Sequence, residues 1–254
     1  FFVISGFLIT GILRNDLATE RFSLARFYDR RIRRIFPALM VVLSATAAAG
    51  LVLMTPMSLR DLGKELAGAA LFVSNLVFAA GNGYFSGPSH EKPLLHTWSL
   101  AVEEQFYILW PVMLWLTHRW FPRWLPTLAV AIGTGSFVVS VWWTEHDPGG
   151  AFYLPWTRFW ELMIGAILAL RPIEFRSRPL REGLAIAGLL LIVGAIVTFD
   201  EKTVFPGPMA LIPCLGAALC LVANRAGDTF GARLLSLRPV VFVGLVSYSF
   251  YLWH

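Results

Sequence analysis

Nine apolar runs, separated by loops that are either rich in arginine or almost free of basic residues, constrain this 254-residue chain more than any other feature. The runs cover residues 1–13, 36–55, 66–80, 95–117, 124–143, 156–170, 183–199, 208–223 and 239–254. Hydrophobic residues make up 57% of the chain, whereas a soluble domain holds about 45–50%. A soluble core of this length has no place for the surplus, so the surplus must face lipid. The 10 tryptophans and 20 phenylalanines fit helices whose ends reach the aromatic belts of a bilayer. The expected fold is all-α, a polytopic transmembrane helical bundle with short loops and one re-entrant segment.

The loops orient this bundle. Residues 14–34 carry seven arginines, 171–181 four and 224–238 three, and 118–123 carry Arg119 and Arg123. Residues 144–155 have no Lys or Arg, and 200–207 have only Lys202. Positive loops stay in the cytoplasm, which places the charge-poor loops outside. Parity then fails for one run. The run 36–55 ends outside and the run 95–117 must start outside, so 66–80 is no simple crossing. It contains Ser74 and Asn75 and is followed by Gly81-Asn82-Gly83. A re-entrant segment resolves the count, because irregular backbone at membrane depth is tolerated where it lines a protein cavity. The alternative is a true crossing with another span miscounted.

The same pattern excludes other classes. The net charge of +5 could suit nucleic acid, but the basic residues are confined to loops between apolar spans, which is membrane topology rather than a binding face. Cys214 and Cys220 lie in one apolar run and form neither a metal pair nor a disulfide framework. Both ends break off inside apolar runs, so the chain reads as one transmembrane domain over residues 1–254, incomplete at both ends, and the lack of a signal peptide carries no meaning.

Three polar groups interrupt the apolar pattern. The first is Asp29-Arg30-Arg31-Ile32-Arg33-Arg34-Ile35-Phe36-Pro37. On a helix Arg31 and Arg34 share a face, as do Arg30 and Arg33. Guanidinium forks match phosphate oxygens in bidentate geometry, although the same cluster serves as a positive-inside anchor that snorkels to headgroups. The second is His96-Thr97-Trp98-Ser99-Leu100-Ala101-Val102-Glu103-Glu104-Gln105-Phe106-Tyr107. Ser99, Glu103 and Tyr107 form one stripe, and Trp98, Val102 and Gln105 another. Carboxylates in a membrane span are costly and point to function, unless they lie in water at the start of a helix. The third is Arg158-Phe159-Trp160-Glu161, either a self-satisfied ion pair or part of the cavity that holds Glu103.

These blocks, with Phe1-Phe2-Val3-Ile4-Ser5-Gly6-Phe7 at one end, Pro93-Leu94-Leu95 before His96, and Ser247-Tyr248-Ser249-Phe250-Tyr251-Leu252-Trp253-His254 at the other, resemble the membrane-bound acyltransferase-3 family in order and over almost the whole chain. The resemblance implies transfer of an acyl group, usually acetyl, from cytoplasmic acyl-coenzyme A to a hydroxyl of a cell-surface glycan, such as an O-antigen, peptidoglycan or exopolysaccharide unit. It implies a multi-pass protein of the cell (inner) membrane whose partners are membrane lipid and the glycan, possibly carried on a lipid, with no nucleic acid and no metal. Arg31 and Arg34, six and three residues before Pro37, would hold the coenzyme A phosphates, with Arg30 and Arg33 in support. Glu103, Trp98 and Arg158 would be catalytic, and His96, Ser99, Tyr107 and Glu161 would bind substrate. The family's essential Arg and His belong to a helix that would precede Phe1, so this stretch alone should be inactive, and neither His96 nor His254 is that base. The branch often carries an esterase-like C-terminal domain, which would lie outside these residues. The rival class is a transporter or lipid-linked glycan translocase, since intramembrane Glu and Arg serve that role too. A plain scaffold has no use for buried carboxylates.

A single cysteine at Gly149 or Thr203, with Cys214 and Cys220 replaced, should react with a membrane-impermeant thiol reagent added outside intact cells. Labelling only after permeabilisation would overturn the orientation.

Overall fold

A computed structural model describes residues 1–81, 92–200 and 203–254. Asn82, Gly83 and Lys202 lie outside the described residues. Among those described the chain forms twelve α-helices: α1 Phe2–Ala18, α2 Leu24–Leu53, α3 Pro56–Ala70, α4 Ser74–Ala80, α5 Thr97–Trp120, α6 Leu125–His146, α7 Pro148–Tyr153, α8 Phe159–Leu170, α9 Arg178–Thr198, α10 Leu211–Ala223, α11 Phe230–Leu235 and α12 Arg238–Trp253. By length and composition Leu24–Leu53, Pro122–His146, Arg178–Thr198 and Pro208–Ala226 can each cross a membrane. Leu190, Val193, Ile196 and Val197 of α9 are exposed, which is the lipid-facing surface the composition demands. The result is a multi-pass all-α bundle.

Several boundaries differ from the apolar runs, and each has a local cause. Helix α2 starts at Leu24 rather than near Phe36, because Ser23 caps it by accepting a hydrogen bond from the Arg26 amide at 3.3 Å. The arginine cluster is therefore helical, not a loop. The loop 144–155 contains α7, capped by Asp147, which accepts from the Gly150 amide at 2.9 Å. The loop 224–238 contains α11, capped by Thr229 at 3.1 Å from the Ala232 amide.

The run 66–80 is broken. Helix α3 ends at Ala70, Phe72 takes a left-handed φ of 56°, and α4 doubles back over Gly68, where an added Cβ would lie 2.9 Å from Val77 and 3.1 Å from Ser74. The pieces hold 15 and 7 residues, and a crossing needs roughly 20. The break needs partners for its freed backbone, and Gln105 supplies one. Its Nε2 donates to the Phe72 carbonyl at 2.9 Å and to Asn75 Oδ1 at 2.8 Å, while Asn75 Nδ2 donates to the Tyr153 carbonyl at 3.1 Å. Such a folded-back segment is what the charge parity requires.

Two close helix contacts hold the bundle. Between α1 and α8, a Cβ on Gly6 would sit 1.9 Å from the Leu162 carbonyl oxygen, and one on Gly165 1.9 Å from the Val3 carbonyl oxygen. Between α9 and α10, Gly188 and Gly216 face each other, each 2.7–2.8 Å from the other's carbonyl oxygen on the same measure. Apolar burial cannot drive helices together in lipid, so close backbone approach through small residues takes its place. Polar ties mark the two ends. At the arginine-rich end Arg14 donates to the Ala169 carbonyl at 2.8 Å, and the hydrogen bond from Arg181 holds the Asp228 carboxyl below its usual range. At the opposite end the Gly207 amide donates to Thr144 at 3.3 Å, and Phe152 meets Phe205 at 6.3 Å.

Gly6→Ala and Gly165→Ala should each destabilise the protein by about 1–3 kcal/mol through overpacking. Gly11→Ala, which meets nothing within 4 Å, should leave stability unchanged or raise it by up to about 1 kcal/mol. Thermal unfolding in detergent distinguishes them.

Candidate active site

Where α1, α2, α5, α8, α10 and α12 converge they enclose a cavity of about 600 Å³. Its wall contains Arg31, Arg34, Trp98, Ser99, Glu103, Arg158 and Glu161, so seven residues singled out in the sequence meet in one space. The cavity extends from the arginine cluster of α2 toward the start of α5 and α8 at the other end of the bundle.

Glu103 is one of two buried acids on this wall, the other being Glu161. The i,i+4 stripe on α5 puts Tyr107 one turn below it, and the Tyr107 hydroxyl donates to Glu103 Oε1. Ser5 of α1 donates to the same oxygen and touches the Tyr107 hydroxyl. Helix α1 can bring Ser5 that close because the adjacent Gly6 lets it lie against α8. Glu103 Oε2 makes no hydrogen bond among the described residues. The Arg31 guanidinium stacks over the Tyr107 ring at 4.1 Å. Trp110 Nε1 donates to Thr10 at 2.8 Å and fastens α5 to α1 below the site.

Arg158 is the N-cap of α8. Its side chain is 2% exposed and that of Glu161 8%, and Nη1 donates to Glu161 Oε1 at 2.7 Å. The two residues form an i,i+3 ion pair that leaves Arg158 Nη2 without a partner, and both line the same cavity as Glu103. Nε donates to the Phe152 carbonyl at 3.1 Å. The guanidinium lies 5.1 Å from the Trp98 ring and 4.8 Å from each of the Phe152 and Phe205 rings. Cys214 Sγ donates to Glu161 Oε2 at 3.9 Å.

The four clustered arginines of α2, Arg30, Arg31, Arg33 and Arg34, separate by charge pairing. Arg30 pairs with Asp16 at 3.0 Å with its side chain 50% exposed, and Arg33 pairs with Asp29 at 2.9 Å while 77% exposed. Neither lines the cavity. Arg31 and Arg34 line it and take part in no ion pair among the described residues. His96 also lies off the wall. Its carbonyl accepts from Tyr251, and its ring packs on Tyr251 and His254 at 5.3 and 6.4 Å. Tyr107 does not line the cavity but contacts two residues that do, Glu103 and Arg31. Of the second stripe, Trp98 lines the wall, Val102 is core and Gln105 serves the α3–α4 break.

Ser5, Phe152, Phe205 and Cys214 were given no role from sequence. A serine beside a glycine in an apolar helix was the available signal for Ser5. Phe152 and Phe205 sit in loops legible only as topology.

A bundle of apolar helices around a charged internal cavity defines a multi-pass membrane protein with a buried polar site. The profile of the acyltransferase-3 family, an acyltransferase domain, matches residues 1–254, and the chain belongs to that family. An uncharacterized protein of Haemophilus influenzae is 34% identical over 236 residues, 87% of this chain and 95% of its own length. O-acetyltransferase OatA of Staphylococcus aureus is 30% identical over 269 residues, covering 100% of this chain and 44% of its own. Peptidoglycan O-acetyltransferase OatA of Listeria monocytogenes is 30% identical over 273 residues, covering 100% and 43%. The chain thus spans less than half the length of these two relatives. No solved structure matches.

Removing Glu161 alone leaves the Arg158 charge buried and unpaired, so Glu161→Ala should cost about 3–5 kcal/mol of stability. The double variant Arg158→Met/Glu161→Met should recover most of that loss in thermal unfolding, since replacing a buried pair by apolar side chains is often neutral. Equal destabilisation of both variants would count against a buried pair.

Proposed function

We propose that this chain is the membrane core of an O-acetyltransferase. It takes an acetyl group from acyl-coenzyme A at the arginine-rich, cytoplasmic face of the inner membrane. It delivers that group to a hydroxyl of a cell-surface glycan at the opposite face. One observation carries this reading: a single cavity joins the two unpaired arginines, Arg31 and Arg34, to Glu103 and to the Arg158–Glu161 pair. The names of the Staphylococcus and Listeria relatives support O-acetyl transfer, and the Listeria name supports peptidoglycan as the acceptor.

The donor phosphates fall to Arg31 and Arg34, which form no ion pair among the described residues. Arg30 and Arg33, already paired with Asp16 and Asp29, hold α2 at the interface. From the arginines the acylated arm of coenzyme A extends along the cavity. Glu103, with Oε1 held by Ser5 and Tyr107, offers Oε2 to the acceptor hydroxyl. Ser99 and Trp98 shape the acceptor end, and Glu161 fixes Arg158 there.

The test is turnover of acetyl-coenzyme A by the complete protein in vesicles, with donor KM measured for single Arg→Lys variants. An ammonium keeps the charge but loses the fork, and a hydrogen bond to a charged group is worth about 1.5–3 kcal/mol. Arg31→Lys and Arg34→Lys should therefore weaken donor binding roughly 10- to 150-fold, while Arg30→Lys and Arg33→Lys should not. Wild-type donor affinity in Arg31→Lys and Arg34→Lys would leave the cluster as a topology signal. Absence of turnover by the folded protein would favour glycan passage without acyl transfer.

A further inference from the structure

A second hollow shares no residue with the polar cavity and lies where α5 turns into α6. Helix α5 ends at Trp120, a single 3-10 turn spans Pro122–Trp124, and α6 starts at Leu125. Helix α6 then gives one face to α8. A Cβ on its Gly133 would lie 3.1 Å from Met163, and Ser136 donates to the Trp156 carbonyl at 2.7 Å and accepts from the Trp160 amide at 2.9 Å. With α6 drawn toward α8, Trp124, Thr127, Leu128 and Ala131 are left to line a groove of about 560 Å³ with Thr117 and Phe121. Pockets of about 300–1,000 Å³ hold small ligands. One turn beyond Ala131, a Cβ on Gly135 would meet nothing within 4 Å, so the open path continues along α6.

The turn that closes the groove is basic. Arg119 is two residues from each of the lining residues Thr117 and Phe121, and Arg123 stands between Phe121 and Trp124. Both arginines are exposed. Neither takes part in an ion pair among the described residues. The chain has no acidic residue between Glu104 and Glu145.

We propose that this groove holds one membrane phospholipid with a net negative headgroup. An acyl chain lies on Thr127, Leu128 and Ala131, and the phosphate sits at Arg119 and Arg123. The apolar wall suits a hydrocarbon chain, and guanidinium forks match phosphate oxygens. Basic pockets between spans on the cytoplasmic side take anionic headgroups, and tryptophans such as Trp120 and Trp124 sit at headgroup level. A zwitterionic lipid brings an ammonium toward two unneutralised arginines, with no carboxylate supplied by residues 105–144. A free phosphate would leave the groove empty. The site is independent of acyl transfer.

The experiment places the complete protein in phosphatidylcholine vesicles with a trace of phosphatidylglycerol that carries a diazirine in one acyl chain. Photolysis should label residues 124–135. Excess phosphatidylglycerol should compete the label away, and excess phosphatidylcholine should not. Arg119→Gln/Arg123→Gln should weaken binding roughly 30-fold, about fivefold for each basic residue. Ala131→Phe, which fills the groove and keeps both charges, should weaken it about tenfold, the worth of one or two buried methylenes. Ala131→Leu serves where Ala131→Phe does not fold. Arg225→Gln/Arg238→Gln, which removes two other exposed arginines, should keep the label. Equal loss in that control would assign the effect to diffuse surface charge and overturn the site. Wild-type labelling in the Arg119/Arg123 or Ala131 variants would do so too, as would equal competition by phosphatidylcholine. Displacement by soluble glycerol phosphate at the concentration of the lipid would make it a phosphate site with no role for the groove.

Discussion

Helix α1 lies against α8 with no side chain between them, and the polar site is built on that contact. With Cβ atoms at Gly6 and Gly165 excluded by carbonyl oxygens, the two backbones approach as closely as helices can. That depth delivers Ser5 to Glu103 on the far side of α1, while α8 presents Arg158 and Glu161 to the same cavity. In a soluble protein apolar burial would bring the helices together and leave their spacing to side-chain size. In lipid that drive is missing, so dispersion between backbones sets the spacing. The site geometry thus depends on two residues that touch no reacting group.

The buried charges follow from the same constraint. An unpaired carboxylate or guanidinium at membrane depth is costly, and this bundle offsets each cost differently. Glu103 is solvated by two hydroxyls on one oxygen. Arg158 is neutralised by Glu161 and sheltered by three rings. Arg31 spreads its charge over the Tyr107 ring face. Each solution satisfies only part of the group.

Much of this was legible in the sequence because it rests on short-range periodicity. The i,i+4 stripe of Ser99, Glu103 and Tyr107, the i,i+3 pair of Arg158 and Glu161, and the failed parity at residues 66–80 all follow from helix geometry and loop charge. Periodicity placed Arg30 and Arg33 on one face and Arg31 and Arg34 on another, but it could not say which face met acids. That depended on Asp16, fourteen residues before Arg30 and carried by a different helix, and on Asp29, one turn before Arg33. Ser5 and Phe205 were illegible because their contacts to Glu103 and Arg158 join elements far apart in the chain. Phe152 lies only six residues before Arg158, but its place over the guanidinium depends on how that loop folds.

The packing also bears on the choice between transfer and transport. A transporter must rock one group of helices against another about its binding site. Here α1 and α8 interlock through carbonyl oxygens, and α9 and α10 do so again through Gly188 and Gly216. Such contacts have almost no freedom to slide, since a small displacement drives backbone atoms into one another. An acyl group is far smaller than a glycan or a coenzyme, and only it must pass between the two ends. A rigid bundle meets that need if the donor arm enters from the arginine end and the hydroxyl from the other. Rigidity then serves the chemistry, because donors that stabilise a developing charge work best when they need not reorganise.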